Sequence, residues 1–183
     1  MTREEALELV RSRVPKVNLV KHLIAAGACM RALAERLGED PDRWELTGIL
    51  HDLDLGEVGD DYSRHGLRTV EILRELGFED EEILGAIFAH AEKKPLETLM
   101  DKALWAVDPT TGFLVACALM HPERRLAALD LGFIKRRFKE KRFAAGASRE
   151  QIRSAEENLG IPLDEFLLLC RDAMASVSDE LGL

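Results

Sequence analysis

An apolar stripe with a defined end constrains this chain more than any other feature. Leu19, Leu23, Ala26, Met30, Leu33 and Leu37 recur every three or four residues, and Gly38 follows where a helix would close. That period is helical, so Asn18 to Leu37 is expected to form a helix with one buried face. Similar punctuation recurs along the sequence. Thr2 with Glu5 is a capping box opening a helix through about Arg13, and Asp40-Pro41 supplies a cap and an N1 proline for the run ending at His51. Ser63 to Leu76 closes at Gly77, and Asp80 caps a helix reaching His90. A helix from about Leu96 meets Pro109, after which Thr111 to Met120 is apolar. Ser148 with Gln151 opens another helix, and Pro162 opens an amphipathic one to Leu181. No period-two run of useful length competes, so the fold class is all-α, a compact multi-helix bundle. Asp54 to Arg64 is the main irregular segment, with the Gly, Asp and Ser content of a loop beside a site.

At 183 residues the chain is one domain able to bury a sizeable core. Hydrophobic residues at 46% and charged residues at 32% exclude a disordered chain. No apolar stretch is expected to reach the length of a membrane span, and Met1 to Glu5 lacks the apolar core of a signal peptide. The expectation is a soluble, cytoplasmic protein with no membrane partner. Cys29, Cys117 and Cys170 show no C-x-x-C spacing and read as small buried hydrophobes in a reducing compartment. A formal charge of −9 argues against a nucleic acid polymer as partner.

The chemistry-bearing residues form an ordered set. His51-Asp52 ends the apolar run of Trp44, Leu46, Ile49 and Leu50; His22 precedes it, and His65, His90 and Asp108 follow. Each has an ordinary reading when taken singly. His22 suits a hydrogen-bonded core position, His51 and His90 suit helix C-termini, His65 lies in the first turn after Ser63, and Asp108 before Pro109 suits the cap of a turn. Together they place four of the five histidines in or at the ends of apolar helices. A helical bundle can converge such side chains on one point, and burying several ionisable groups is costly unless they pair or bind a metal. Imidazoles and carboxylates are the ligand set of a divalent cation.

His22, then Gly48-Ile49-Leu50-His51-Asp52, then Asp108 in Ala106-Val107-Asp108-Pro109-Thr110-Thr111-Gly112 resembles the H…HD…D signature of the HD-domain metal-dependent phosphohydrolases. His65-Gly66 and Ile87-Phe88-Ala89-His90 resemble positions where many members carry histidines. The stretch Lys135-Arg136-Arg137-Phe138-Lys139 with Phe143-Ala144-Ala145-Gly146 resembles an uncharacterised bacterial branch of that family. The resemblance implies a single HD-type domain over 1–183, with a C-terminal helical extension over 121–183. It also implies that His22, His51, Asp52 and Asp108 ligate one divalent metal, and that His65 and His90 bind a second metal or contact a substrate phosphate. Many relatives continue the motif as His-Asp-Ile-Gly-Lys. This chain reads His51-Asp52-Leu53-Asp54-Leu55-Gly56-Glu57, so that lysine's phosphate contact is missing.

A cation so held would polarise a phosphoryl oxygen and lower the pKa of a bound water. Asp54, His65 and His90 are the candidates to move a proton. The ligands admit Fe, Mn, Ni, Zn or Mg, and the imidazoles favour a transition metal. Lys135 to Arg142 carries six basic residues, readable as an exposed helical face anchored by Phe138 and Phe143 or as a phosphate clamp through Arg136, Arg137 and Lys139. The leading expectation is a metal-dependent phosphohydrolase acting on a nucleotide or another small anionic phosphate ester. A di-iron oxygenase and a non-catalytic metal- or nucleotide-binding regulatory domain are the alternatives.

Overall fold

A computed structural model describes residues 1–59 and 61–183. Asp60, inside the segment expected to be irregular, lies outside the described residues. The helices in chain order are α1 (Arg3–Arg13), α2 (Val17–Leu37), α3 (Pro41–Leu50), α4 (Leu55–Val58), α5 (Leu67–Glu75) and α6 (Glu81–His90). They continue with α7 (Leu99–Met120), a 3₁₀ turn at Leu126–Ala128, α8 (Leu131–Lys139), α9 (Arg149–Leu159), α10 (Leu163–Ser176) and α11 (Ser178–Leu181). No strand occurs among the described residues, so the fold is all-α.

The caps act as the sequence requires. Thr2 and Glu5 form the full capping box, Asp40 accepts from the Asp42 and Arg43 amides, and Asp80 accepts from those of Glu82 and Ile83. Gly38 closes α2 in the left-handed region with φ of 79°. The long helices α2 and α7 are central: α3 and α10 pack on α2, and α6 and α9 pack on α7. One buried apolar cluster runs from Ala6 to Leu181, through Leu23, Met30, Ile49, Leu104, Phe113 and Phe166. Each fully buried Leu or Phe contributes about 1.5–3 kcal/mol, so this cluster dominates the stabilisation.

Two contacts fix where α3 lies. A Cβ added at Gly48 would sit 2.6 Å from backbone atoms of Ala26 and Gly27, so α2 and α3 cross with their backbones touching. The Arg43 guanidinium makes two bonds of 2.8 Å to Asp80, tying α3 to the start of α6. The helices that carry His22, His51 and His90 are thereby registered to one another.

Four expectations need correcting. Pro109 does not break its helix: α7 runs unbroken through it. An interior proline costs about 3 kcal/mol, but Ala103, Leu104, Ala106, Val107, Phe113 and Leu114 on either side are fully buried and outweigh it. The helix expected from Ser63 starts only at Leu67, because Gly66 turns with φ of 75° and leaves His65 outside it. The amphipathic helix expected to reach Leu181 is divided at Val177 into α10 and α11. Finally, α2 and α7 are long and apolar enough to cross a membrane, contrary to the reading that no stretch approaches that length. Both are core helices here, with buried faces covered by their neighbours.

Candidate metal centre

The expected residues converge. His22 comes from α2, His51 caps α3 and Asp52 follows it; His65 precedes α5, His90 ends α6 and Asp108 sits mid-α7. His22 Nε2 lies 3.3 Å from His51 Nε2, 3.2 Å from Asp108 Oδ1 and 3.7 Å from Asp52 Oδ2. His51 Nε2 lies 3.4 Å from Asp52 Oδ2 and 3.8 Å from Asp108 Oδ1. All four ligand atoms fall within 4.8 Å of one another. Ligands about 2.1 Å from a common ion lie roughly 3.0–3.4 Å apart at adjacent vertices of an octahedron or tetrahedron. The separations of 3.2, 3.3 and 3.4 Å match this, and those of 3.7 and 3.8 Å are a few tenths of an ångström longer, so a small contraction would close the group on a cation.

A second group shares a residue with the first. Asp52 Oδ1 lies 3.4 Å from His65 Nε2 and 3.1 Å from His90 Nε2. These three side chains again offer atoms within 4.8 Å of one another. Asp52 therefore presents one oxygen to each group, as a bridging carboxylate does.

All four imidazoles face the same way for a physical reason. His51 Nδ1 donates to the Gly48 carbonyl at 2.8 Å, and His90 Nδ1 donates to the Ile87 carbonyl. His65 Nδ1 donates to Asp54 Oδ1 at 2.9 Å. The Thr111 hydroxyl gives its hydrogen to the Asp108 carbonyl, so at 2.8 Å it can only accept from His22 Nδ1. Carbonyl and carboxylate oxygens cannot donate, so every Nδ1 is the protonated nitrogen. Every Nε2 is left to face the two carboxylates, the arrangement that fixes imidazoles for metal binding.

The electrostatics agree with the geometry. Burial works against charge on His51, but Asp52 first and then Asp108 override it and push its pKa up to about 9. Burial likewise opposes charge on Asp52, yet His51 and His90 hold its carboxyl well below the usual carboxylate range. Asp108 is held low against burial by His22 and His51. His65 is raised despite burial, chiefly by its bond to Asp54. The site stores negative charge that only protons or a cation can balance. His51 is fully buried, while the Asp108 side chain is 37% exposed and marks the open side.

Asp54, expected to move a proton, lies behind His65. It is fully buried, with Oδ2 accepting from the Gly66 amide at 2.7 Å and the Thr69 amide at 3.3 Å while Oδ1 holds His65. Both of its oxygens are therefore occupied by hydrogen bonds. A Cβ at Gly66 would collide with that of Ala91, so Gly66 also lets the loop close on α6 and sets His65 beside His90.

Only the first part of the basic run is helical: Lys135 to Lys139 end α8 (Leu131–Lys139), and Lys141 and Arg142 lie in the turn beyond it. Arg136 and Arg137 stand 5.6 Å and 5.3 Å from the Phe133 ring, Arg137 pairs with Glu140 and Lys135 with Asp164. Phe138 packs against Phe113, as an anchored exposed face requires. Among the described residues, no hydrogen bond or ion pair of this run reaches the histidine cluster. Glu57 is tied to Arg13 at 2.6 Å and Arg68 at 2.9 Å. Sequence reasoning missed Thr111 and the two helix-end carbonyls. The available signal was a histidine at or just after the last helical residue, three positions beyond a carbonyl with no helical partner.

The fold and the cluster define a helical His/Asp metal-site protein. The HD domain family model matches residues 19–131, more than half of the chain, and the chain belongs to that family. Curated relatives include Ribonuclease Y of Nitratidesulfovibrio vulgaris, 28% identical over 90% of this chain and 32% of the relative. Ribonuclease Y of Lawsonia intracellularis is also 28% identical, over the same shares. The chain thus spans about a third of the length of these relatives. The symmetrical bis(5'-nucleosyl)-tetraphosphatase of Bacillus subtilis is 27% identical over 59% of this chain and 68% of its own length. No solved structure matches at a significant level.

Proposed function

We propose that this protein is a metal-dependent phosphohydrolase acting on a nucleotide or another small phosphate ester or anhydride. The observation that carries the reading is the common orientation of four imidazoles, each with Nδ1 anchored and Nε2 turned toward Asp52 or Asp108. In this reading His22, His51, Asp52 and Asp108 hold one divalent cation, and Asp52, His65 and His90 hold a second. Four imidazoles to two carboxylates favour a transition metal over Mg. When bound, such a cation supplies Lewis acidity and a water of lowered pKa. Asp54 orients His65. If elemental analysis returns one ion per chain, the free Nε2 atoms of His65 and His90 become the proton carriers. His65 is then the better placed, because it reaches the surface.

The tetraphosphatase relative supports a nucleotide anhydride as substrate, and the Ribonuclease Y relatives support RNA. The charge of −9 weighs toward the small substrate. Arg136, Arg137 and Lys139 are kept as a source of attraction for anions, effective over about 10 Å at 0.1 M salt. The reading takes 1–183 as one domain with its C-terminal extension over 121–183. Three buried free cysteines support a reducing, cytoplasmic setting. The oxygenase alternative needs two irons, the second held by Asp52, His65 and His90, but the relatives' phosphate chemistry favours hydrolysis.

The test loads purified protein with single metals. It is assayed on nucleotides, dinucleoside polyphosphates, bis(p-nitrophenyl) phosphate and a single-stranded RNA. Metal-dependent turnover of a nucleotide or its anhydride is expected, with loss on His51→Ala plus Asp52→Ala. Turnover that survives both chelation and that double substitution would sink the proposal.

A further inference from the structure

Beside the metal cluster lies a cavity of about 350 Å³ between α2, α7 and the segment Leu181–Leu183. His22 lines this cavity and belongs to the first ligand group, and Thr111, which holds His22 Nδ1, lines the cavity too, so the cavity borders that group through His22. Its volume falls within the range of small-ligand sites, about 300–1,000 Å³. Ala25, Val115 and Leu119 give it apolar walls, while Asn18 and Lys21 bring polar groups to it.

Two features of this cavity are not fully used within the fold. Gly112 is a mid-helix glycine in α7, and a Cβ added there meets nothing within 4 Å. Glycine weakens a helix interior relative to alanine, and here no close packing or turn requires it. Its effect is to keep the cavity wall clear. Lys21 donates one bond, 2.6 Å to the Leu181 carbonyl, and makes no ion pair among the described residues. An ammonium has three donors, so two remain for an anion.

We propose that this cavity is the nucleoside subsite of the phosphate centre. A base and its ribose lie against Ala25, Gly112, Val115 and Leu119, and the Lys21 ammonium meets a phosphate oxygen. The inference rests on the phosphohydrolase reading and names its substrate class. Asn18 favours a nucleoside over an alkyl chain, because its amide offers a donor and an acceptor that a base edge or a ribose hydroxyl satisfies.

The test is binding, not turnover. The methylene-phosphonate analogue of adenosine 5'-monophosphate and its base-free counterpart, methylphosphonate, are titrated calorimetrically into the full metal-loaded chain. The adenosine analogue is expected to bind at least tenfold more tightly. Gly112→Leu, which fills the open space, removes that advantage, and Lys21→Gln weakens both ligands. Val115→Trp narrows the same cavity from the next turn and serves if Gly112→Leu does not fold, as judged by thermal melting. Equal affinities in the starting protein, or an advantage that survives Gly112→Leu or Val115→Trp, would overturn the subsite. An unchanged Lys21→Gln would overturn the phosphate contact. Metal-dependent hydrolysis of bis(p-nitrophenyl) phosphate judges the phosphohydrolase reading separately, since that ester carries no nucleoside.

Discussion

Alanine in place of a helix glycine normally stabilises, so Gly48→Ala is a sharp test of how this site is built. The substitution gains about 1 kcal/mol of helix propensity and about 0.8 kcal/mol from a buried methyl group. Against this, the new Cβ would lie 2.6 Å from the Ala26 carbonyl carbon and oxygen and from the Gly27 nitrogen. Carbon contacts prefer about 3.5–4.0 Å, so α3 must retreat from α2 by about 1 Å. The obstacle is backbone, which no rotamer change can move. Overpacking costs about 1–3 kcal/mol where side chains can yield, and more where they cannot. A net loss of about 2 kcal/mol is expected, or a fall in Tm of about 4–8 °C for a chain of this size. The same retreat draws His51 away from His22, so metal affinity should fall at least tenfold. Gly112→Ala is the control: with nothing within 4 Å it should raise Tm by about 2–4 °C. Thermal melting of both variants, with calorimetric metal titration, reads the outcome. A Gly48→Ala protein that melts at or above the parent refutes the close crossing and the site geometry derived from it.

Asp54→Asn leaves an amide that cannot accept from His65, Gly66 and Thr69 as the carboxylate does. Affinity at the second ligand group should fall about 10–100-fold while the first is still filled, and a stoichiometric metal titration with two unchanged steps would refute the positioning role. Asp101 is fully buried against Lys94, with Thr98 and the Glu97 amide also donating to it. Burial opposes its charge, but these partners, Lys94 first, hold its carboxyl below the usual value. Its stabilisation is therefore present above the unfolded value near pH 4 and lost as pH falls through the lower folded value. Asp101→Asn should cost about 1–3 kcal/mol at pH 7 and flatten the acid limb of a denaturation series; an unaltered limb counts against it. Arg136→Ala with Arg137→Ala should raise KM for an anionic substrate at low salt and converge with the parent at high salt. A KM unchanged at both would remove the basic strip from function.

Local signals were legible in the sequence, and those set by packing were not. Thr2, Asp40 and Asp80 cap helices through atoms two or three residues away, so their roles could be read without the fold. Pro109 misled because its local cost is real, while the burial of Leu104, Val107 and Phe113 that offsets it is tertiary. The ordered histidines and aspartates could be read as a set, but not the division of labour at Asp52. Its two oxygens face different helices, and that depends on how α2, α6 and α7 pack round the end of α3. The surroundings of Asp54 could not be read for a similar reason. The amides that turn it inward belong to Gly66 and Thr69, twelve and fifteen residues away. Lys21 carries no motif and Gly112 only ends the Asp108 stretch, so it is the cavity they share that brings them to notice.

For His51 and His90 the structural and functional readings were never rivals. A helix that stops leaves its last carbonyls without amide partners, and each costs stability if buried and unpaired. At both helix ends the histidine answers this itself, donating Nδ1–H to the carbonyl three residues back, Gly48 in one case and Ile87 in the other. A bond of that kind contributes about 1 kcal/mol, with a further gain of about 0.3–1 kcal/mol when the imidazole is charged beside the helix dipole. The same bond fixes the tautomer and aims the opposite nitrogen away from the helix. Capping thus leaves a metal-ready Nε2 pointing outward from each helix end. It remains only for the helices to be brought together, which the Gly48 crossing and the Arg43–Asp80 pair accomplish for α2, α3 and α6. The site follows from helix termination plus registration, so perturbing either the carbonyl or the crossing should disturb the metal before it disturbs the fold.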